Sequence, residues 1–329
     1  MSPPPIHTFG VAEVQDLTLA AMDAAERGRA VEAEQFARRA LDSVDAVADT
    51  CRDGLRASAL RALGTAQRTR GRYRDAEQTF REALTRAAGA FGPDSVQVAE
   101  LHNDLGMTSK YLGRFDDAAE AYGRARAILE ARPDADPEDL AALYHNLGGL
   151  AHAQGHFATA EPLARRAVEI RSRTLGPRAQ ATLLDRSAHA AILSGLGRDD
   201  EAEDAIRGLL EDLEPALGPD HPEVAVALNN LAAILQRRGA LDEAADLYAR
   251  VIATREAHFG IDAPTLAVPL NNLATVLEAQ GRSLDAVRLY ERAIELLETS
   301  LDASHPNLLA VRRNAARMGI RLSGVDLPA

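Results

Sequence analysis

The chain has 329 residues, of which 46% are apolar, 26% are charged and only 4% are aromatic, and it contains no tryptophan. Its 49 acidic and 37 basic residues leave a formal charge of −12, which disfavours a nucleic-acid-binding surface. The single cysteine, Cys51, excludes an internal disulfide and any metal site built from several cysteines, and it fits a reducing compartment.

The first ten residues, MSPPPIHTFG, have neither a basic start nor an apolar core. They do not have the pattern of a signal peptide, and we expect a disordered tail over residues 1–10. No uninterrupted apolar run reaches 18 residues, so we expect no transmembrane helix. The sequence therefore predicts a cytoplasmic protein that has no membrane partner.

After this tail a glycine recurs at an almost constant interval, first of 43 residues and then of 42 residues five times. These glycines are Gly28, Gly71, Gly113, Gly155, Gly197, Gly239 and Gly281, and an alanine follows each of them after five residues. Copies of this length are typical of a solenoid, in which each unit buries its apolar faces by stacking on its neighbours.

The sixth copy illustrates the two helices of each unit. Residues 224–238 are apolar at helical spacing, and Gly239 then permits a left-handed turn. A second helix is predicted from about Leu241 to Phe259, where Gly260 ends it. The sequence thus predicts an all-α fold of seven helix pairs.

Small residues stand seven positions before the turn glycines, at Gly64, Gly106, Gly148, Ala190, Ala232 and Ala274. We expect them to face the alanine series of the paired helix and to allow a close helix crossing. Larger side chains such as Phe80 and Tyr122 are expected to fill the space between successive pairs. In the fifth copy, Pro215 is expected to bend or shorten the second helix. That copy is interpreted either as a hinge or as a drifted repeat without a mechanical role.

The segment 218–249, GPDHPEVAVALNNLAAILQRRGALDEAADLYA, resembles the tetratricopeptide repeat in its 42-residue, kinesin-light-chain-like form. The resemblance covers about residues 11–322 and implies a right-handed superhelical solenoid that acts as a binding scaffold. The expected repeats are 11–50, 51–94, 95–136, 137–178, 179–220, 221–262 and 263–304, within residues 11–307. A capping helix is expected over 308–322, followed by a tail over 323–329.

The resemblance further implies that the first helices line a concave groove. Positions about ten, six and three residues before each turn glycine are then the candidate contact positions. The candidate peptide-binding residues are Arg61, Arg68, Asn103, Lys110, His145, Asn229, Gln236, Asn271 and Arg313. Their basic members suit a partner with acidic side chains or a terminal carboxylate. The alternative is that they form solvated faces and pair with acidic residues of their own helices.

Asparagines recur inside the predicted first helices, although asparagine costs roughly 0.5–0.7 kcal/mol relative to alanine in a helix. Amides that both donate and accept can bracket the backbone of an extended peptide, which we expect for Asn103, Asn229 and Asn271. The asparagines nine residues before the glycines, Asn146, Asn230 and Asn272, are instead expected to tie adjacent helices together.

His145 and His152 share one predicted helix face, but no carboxylate recurs at ligand spacing, so we expect no metal and no cofactor. No phosphate-binding loop, nucleophile elbow or zinc-protease motif occurs, and we expect no enzyme. The predicted function is a non-catalytic scaffold that binds an extended peptide or a partner's helix in the groove. The alternatives are a peptide-sensing regulator that changes its superhelical pitch and, more remotely, a metal-dependent enzyme. The partner's identity is open; a monomer is favoured over a homodimer.

Overall fold

The structure is a computed structural model that describes residues 7–47, 49–298 and 306–318, and within these ranges it contains fifteen α-helices and no strand. The helices are α1 (His7–Glu26), α2 (Ala30–Val44), α3 (Asp49–Thr69), α4 (Tyr73–Phe91), α5 (Val96–Tyr111), α6 (Phe115–Glu130), α7 (Pro137–Ala153), α8 (Phe157–Thr174), α9 (Gln180–Gly195), α10 (Asp199–Leu217), α11 (Pro222–Arg237), α12 (Leu241–Phe259), α13 (Ala267–Ala279), α14 (Ser283–Glu298) and α15 (Pro306–Arg317). The all-α prediction is confirmed, with seven helix pairs followed by α15.

Two bounds differ from the expectation. Helix α1 begins at His7, so residues 7–10 are helical rather than part of a disordered tail. Helix α15 begins at Pro306, where the missing N–H of proline costs nothing. The end expected for the capping helix, residues 319–322, and the tail over 323–329 lie outside the described residues.

The expectation for Pro215 is wrong with respect to length. Helix α10 runs through Pro215 to Leu217 and has 19 residues, as many as α4 and α12. Pro215 stands in the last turn, where its missing N–H removes one intrahelical hydrogen bond and the helix ends two residues later.

The turn between the two helices of a pair depends on glycine. All seven turn glycines have a positive φ, from 72° to 79°, which side chains with a Cβ rarely adopt. After α1, the amide of Gly28 donates to the carbonyl of Ala25, and the amide of Arg29 donates to the carbonyl of Ala24. These two hydrogen bonds satisfy carbonyl groups at the end of α1, and the chain reverses direction there before α2 begins.

The described chain divides into two compact units, residues 1–177 with α1 to α8 and residues 178–329 with α9 to α15. Within each unit, neighbouring first helices of the pairs approach one another, as α3 approaches α5 and α11 approaches α13. Neighbouring second helices of the described chain do not. Each unit therefore curves so that its first helices form an inner face.

The small residues of the first helices face different groups: Gly148 meets Ala160 and Ala164 of the paired helix, as expected, whereas Gly64 and Gly106 meet aromatic rings. A Cβ built on Gly64 would stand 2.6 Å from the ring of Phe80, and one built on Gly106 would stand 2.5 Å from the ring of Tyr122. Both rings are fully buried. Each ring thus lies within its own pair, against the glycine of the first helix, rather than only between successive pairs.

Buried glutamates link successive pairs near the turns. Glu34 on α2 is 6% exposed, and its carboxylate pairs with Arg38 at 2.8 Å, with Arg72 at 2.7 Å and with Arg70. Burial raises the pKa of Glu34, but hydrogen bonds from the three guanidinium groups outweigh it and hold the pKa at about 2. Glu77 on α4 repeats the arrangement with Arg114 at 2.6 Å.

Replacing Glu34 with glutamine should lower the free energy of unfolding by about 1–3 kcal/mol at pH 7. The folded-state pKa of Glu34 lies below its unfolded value, so its ionisation stabilises the fold above about pH 4.5. The contribution is lost as the pH falls from about 4.5 towards 2, so the two proteins should converge there. Urea unfolding followed by circular dichroism at several pH values measures this difference.

The matched control is Glu82→Gln, which removes the same charge from an exposed position of α4. We expect its stability to stay within about 0.5 kcal/mol of wild type at every pH. A Glu34→Gln protein that unfolds at the wild-type urea concentration at pH 7 would contradict the role assigned to this network.

Candidate peptide-binding face

Two of the asparagine pairs hold neighbouring first helices together. The Nδ2 of Asn146 on α7 donates to the Oδ1 of Asn103 on α5 at 2.9 Å, and Asn314 on α15 donates to Asn271 on α13 at the same distance. The tying role expected for Asn146 is therefore observed. Asn103 and Asn271 use their side-chain oxygens in these ties, so peptide contacts by them remain a prediction, which for Asn103 involves its Nδ2 group.

Asn229 on α11 differs from these two residues. Its Oδ1 is buried and has no hydrogen-bond donor among the described residues. Asn272, which stands 43 residues later, has an Oδ1 that accepts from the Nδ2 of Asn271 at 3.4 Å. One acceptor on the inner face of the second unit is thus left unsatisfied, although a buried acceptor normally has a donor.

Arg61, predicted to contact a peptide, forms an ion-pair network on the inner face of the first unit. Its Nε donates to Asp104 at 2.7 Å, and its Nη1 lies 2.6 Å from Glu100. Burial raises the pKa of Glu100, and burial also raises the pKa of the nearby Asp139. Arg61 therefore has its charge compensated, and this part of the face is acidic.

Lys110 on α5 has a different environment. It is half-buried, and no carboxylate of the described residues lies within 4 Å of its ammonium group. The ammonium rests on Gly149 of α7, where a Cβ would stand 3.0 Å from Nζ. Burial lowers the pKa of Lys110, and burial together with Lys110 lowers the pKa of His152.

Arg68 occupies the position of α3 that corresponds to Lys110 in α5 and to His152 in α7. Its Nε is buried without an acceptor, and no ion pair to it occurs among the described residues. Arg68, Lys110 and His152 therefore form a row of basic side chains at the ends of α3, α5 and α7, the first helices of three successive pairs. We call these three residues the basic row.

In the second unit, the residues at the positions equivalent to Lys110 are polar and have hydrogen-bond partners. Gln236 donates to Thr275 at 2.9 Å and accepts from the hydroxyl of Tyr248 at 3.4 Å. Glu278 accepts from the hydroxyl of Tyr290 at 3.1 Å. Both tyrosines stand twelve residues after their acceptors, so this spacing is a sequence signal for the pairing.

Tyr122 stands twelve residues after Lys110, but lysine has no acceptor to offer. The Tyr122 hydroxyl is buried and has no hydrogen-bond partner in the described part of the chain. Burial raises its pKa, and the charge of Arg68 acts on it in the opposite direction. No pattern in the sequence indicated this unsatisfied donor.

The remaining predicted residues are more dispersed. His145 is half-buried on α7, and Arg313 is exposed on α15. Over the residues that the structure describes, no group of three or more histidine, cysteine, aspartate or glutamate side chains could hold a metal ion. None of the described helices is both long enough and apolar enough to cross a bilayer.

An open cavity of about 850 Å³ lies between α1, α3 and the end of α4, and no sequence pattern indicated it. Leu19 is 68% exposed at this cavity, and Phe91 is 43% exposed. The ring of Phe91 lies against Gly54, where a Cβ would stand 2.7 Å from it. The inner face of the first unit thus combines polar groups with exposed apolar side chains.

Comparisons with known structures agree with this architecture. The apo form of the quorum sensor NprR from B. thuringiensis is 13% identical, with a TM-score of 0.73 over 93% of this chain and 82% of that one. A Rap protein complexed with Competence and Sporulation Factor is 14% identical, with a TM-score of 0.66 over 94% of this chain and 88% of that one. Kinesin light chain repeats of Podosopora anserina are 20% identical, with a TM-score of 0.53 over 63% of this chain and 96% of that one.

No curated protein sequence matches the chain at a significant level. The family model of the tetratricopeptide repeat matches residues 55–131, 139–207, 185–257 and 265–319, which is well over half of the chain. The matched segments run over helices α3 to α15, whereas the first pair, α1 and α2, lies outside them. The chain therefore belongs to the tetratricopeptide repeat family, with repeats of the kinesin-light-chain-like kind.

Proposed function

We propose that the inner face of the first unit binds an extended peptide segment of a partner protein. Tetratricopeptide repeats form protein-interaction scaffolds that typically lack catalytic activity, and this chain has that fold. The observation that carries the proposal is that Arg68 on α3 and Lys110 on α5 have no carboxylate partner among the described residues, while Arg61 of the same face has two. A ligand that supplies hydrogen-bond acceptors could contact the half-buried side chains of Arg68 and Lys110, which the folded chain leaves without acidic partners.

The exposed apolar side chains near α1 also support the proposal that a peptide binds to this face. Leu19 and Phe91 border the open cavity, and Met107 of α5 is half-buried on the inner side. A peptide in extended conformation presents backbone carbonyls and alternating side chains, so it can use apolar and polar contacts together. A partner's helix is the other occupant of such a face and would be anchored at helical spacing.

The test uses the full chain and a displayed library of random twelve-residue peptides. Enriched peptides are synthesised and titrated into protein labelled with ¹³C at the methionine methyl groups. We expect the signal of Met107 to shift and that of Met318, in the second unit, to stay unchanged. The absence of any enriched peptide, or a shift confined to Met318, would overturn the proposal.

A second candidate function is a peptide-sensing regulator in which binding alters the superhelical pitch. Two observations favour it: one structural relative is a quorum sensor, and another was crystallised with Competence and Sporulation Factor. Small-angle scattering of the same titration separates the two functions, because a change in the radius of gyration on peptide binding supports the regulator. An unchanged radius favours the scaffold.

A further inference from the structure

Two tyrosines of neighbouring helix pairs stack on one another at the turns of the first unit. Tyr73 is the first residue of α4, and Tyr111 is the last residue of α5. Their ring centroids are 5.0 Å apart and the ring planes differ by 8°, which is an offset-stacked arrangement. Tyr111 directly follows Lys110 of the basic row, but its ring lies against that of Tyr73 in the preceding pair. The stack therefore joins the second and third helix pairs.

Both rings of this stack can be reached from solvent. Tyr111 is 58% exposed, and Tyr73 is half-buried. An open depression of about 350 Å³ borders Tyr73 and Leu112 at the same turn. A small oxidant can therefore reach the stacked rings, which is not the case for a ring inside the core.

The other four tyrosines of the chain lack either the access or the partner. Tyr122, Tyr248 and Tyr290 are at most 1% exposed, and burial raises the pKa of each phenol. A phenol that holds its proton so firmly is difficult to oxidise to a neutral radical. The hydroxyl of Tyr144 donates to Glu130 at 2.7 Å, but no second tyrosine ring lies against Tyr144 among the described residues.

The repeat fold does not require this stack. The positions equivalent to Tyr73 in the next two copies carry Phe115 and Phe157, which have no phenol. The position equivalent to Tyr111 in the next copy carries Ala153. Two phenols in contact are thus a feature of one junction between repeats, in a chain that has no tryptophan to compete for a one-electron oxidant.

We infer that Tyr73 and Tyr111 form an oxidative cross-linking site, at which a haem peroxidase acting with hydrogen peroxide joins the two rings as dityrosine. Each phenol loses one electron and its proton, and the unpaired electron spreads to the ring carbons beside the hydroxyl. A bond forms between a Cε of Tyr73 and a Cε of Tyr111, and each of these carbons then passes its hydrogen, as a proton, to its own phenolic oxygen. The two electrons and two protons removed convert one hydrogen peroxide to two water molecules.

The cross-link connects the beginning of α4 to the end of α5. Tyr111 stands 38 residues after Tyr73, so the new bond closes a loop of the unfolded chain. It also fixes the distance between the second and third helix pairs at their turns. The cross-linked protein should melt about 5–10 °C above the untreated protein, because a closed loop lowers the entropy of the unfolded state.

The test treats the purified full chain with a haem peroxidase and hydrogen peroxide. Dithiothreitol is then added to reduce any disulfide formed through Cys51, which is exposed. Trypsin cleaves after arginine and lysine, so the expected product joins residues 73–74 to residues 111–114. Its mass should equal that of the two peptides less two hydrogen atoms. The treated protein should remain a single chain on a denaturing gel.

Variants that remove one phenol identify the reacting pair. Tyr73→Phe and Tyr111→Phe each keep two rings in the stack, and each should abolish the fluorescence of dityrosine and the gain in melting temperature. Tyr144→Phe is the matched control, because it removes a phenol of the same unit that has no ring partner among the described residues. This control should give the wild-type yield of dityrosine.

Three outcomes overturn the inference. Dityrosine that persists in Tyr73→Phe would show that other tyrosines couple. Cross-linked dimers without the joined peptide would show that exposed Tyr111 reacts between two copies of the chain and not within the stack. The absence of dityrosine, under conditions that convert free tyrosine to dityrosine, would show that the stacked rings do not couple.

Discussion

Replacing Asp104 with alanine should lower the free energy of unfolding by about 2–4 kcal/mol. Asp104 is 5% exposed and accepts from Arg61 at 2.7 Å, and Arg61 stands on the neighbouring helix pair. Its removal leaves a largely buried guanidinium group with Glu100 as its remaining partner, at 2.6 Å. Urea unfolding followed by circular dichroism measures the loss.

Two further variants separate the charge from the packing. Asp104→Asn keeps the size and one acceptor, so it should cost less than Asp104→Ala. Arg61→Met in the Asp104→Ala background should recover part of the stability, because it removes the charge that lost its partner. Additive losses in the double variant would show that the two residues do not interact, against the geometry of this network.

Replacing Gly106 with alanine should destabilise the fold by about 1–3 kcal/mol. The new Cβ would stand 2.5 Å from the buried ring of Tyr122, so the ring or the helix pair must move. Glycine is otherwise a poor residue inside a helix, by about 0.5–1 kcal/mol relative to alanine. The steric cost must therefore exceed that gain for the prediction to hold.

Gly123→Ala is the matched control, because a Cβ at Gly123 of α6 would have no atom within 4 Å. This variant should stabilise the protein by about 0.5–1 kcal/mol, so the two substitutions are expected to have opposite signs. Thermal melting of both proteins, compared with wild type, tests the contrast. Stabilisation by both would mean that the ring of Tyr122 adjusts freely.

The sequence by itself determined the helix pairs, their turns and the family. These features depend on local chemistry: apolar residues at helical spacing form the helices, and only glycine tolerates the positive φ of the turns, as at Gly239. Because the copies follow a period of 42 residues, the sequence also shows which residues occupy equivalent positions on the first helices, such as Arg68, Lys110 and His152.

Only the tertiary structure decided which of these polar side chains have partners. Arg61 and Lys110 are both basic residues of the predicted groove, yet Arg61 lies between two carboxylates and Lys110 rests on Gly149 without one. The partners of Arg61 and of Asn103 come from a neighbouring repeat and depend on side-chain direction across the stack. The 42-residue period does not predict which side chains pair, because equivalent positions carry different residues in successive copies.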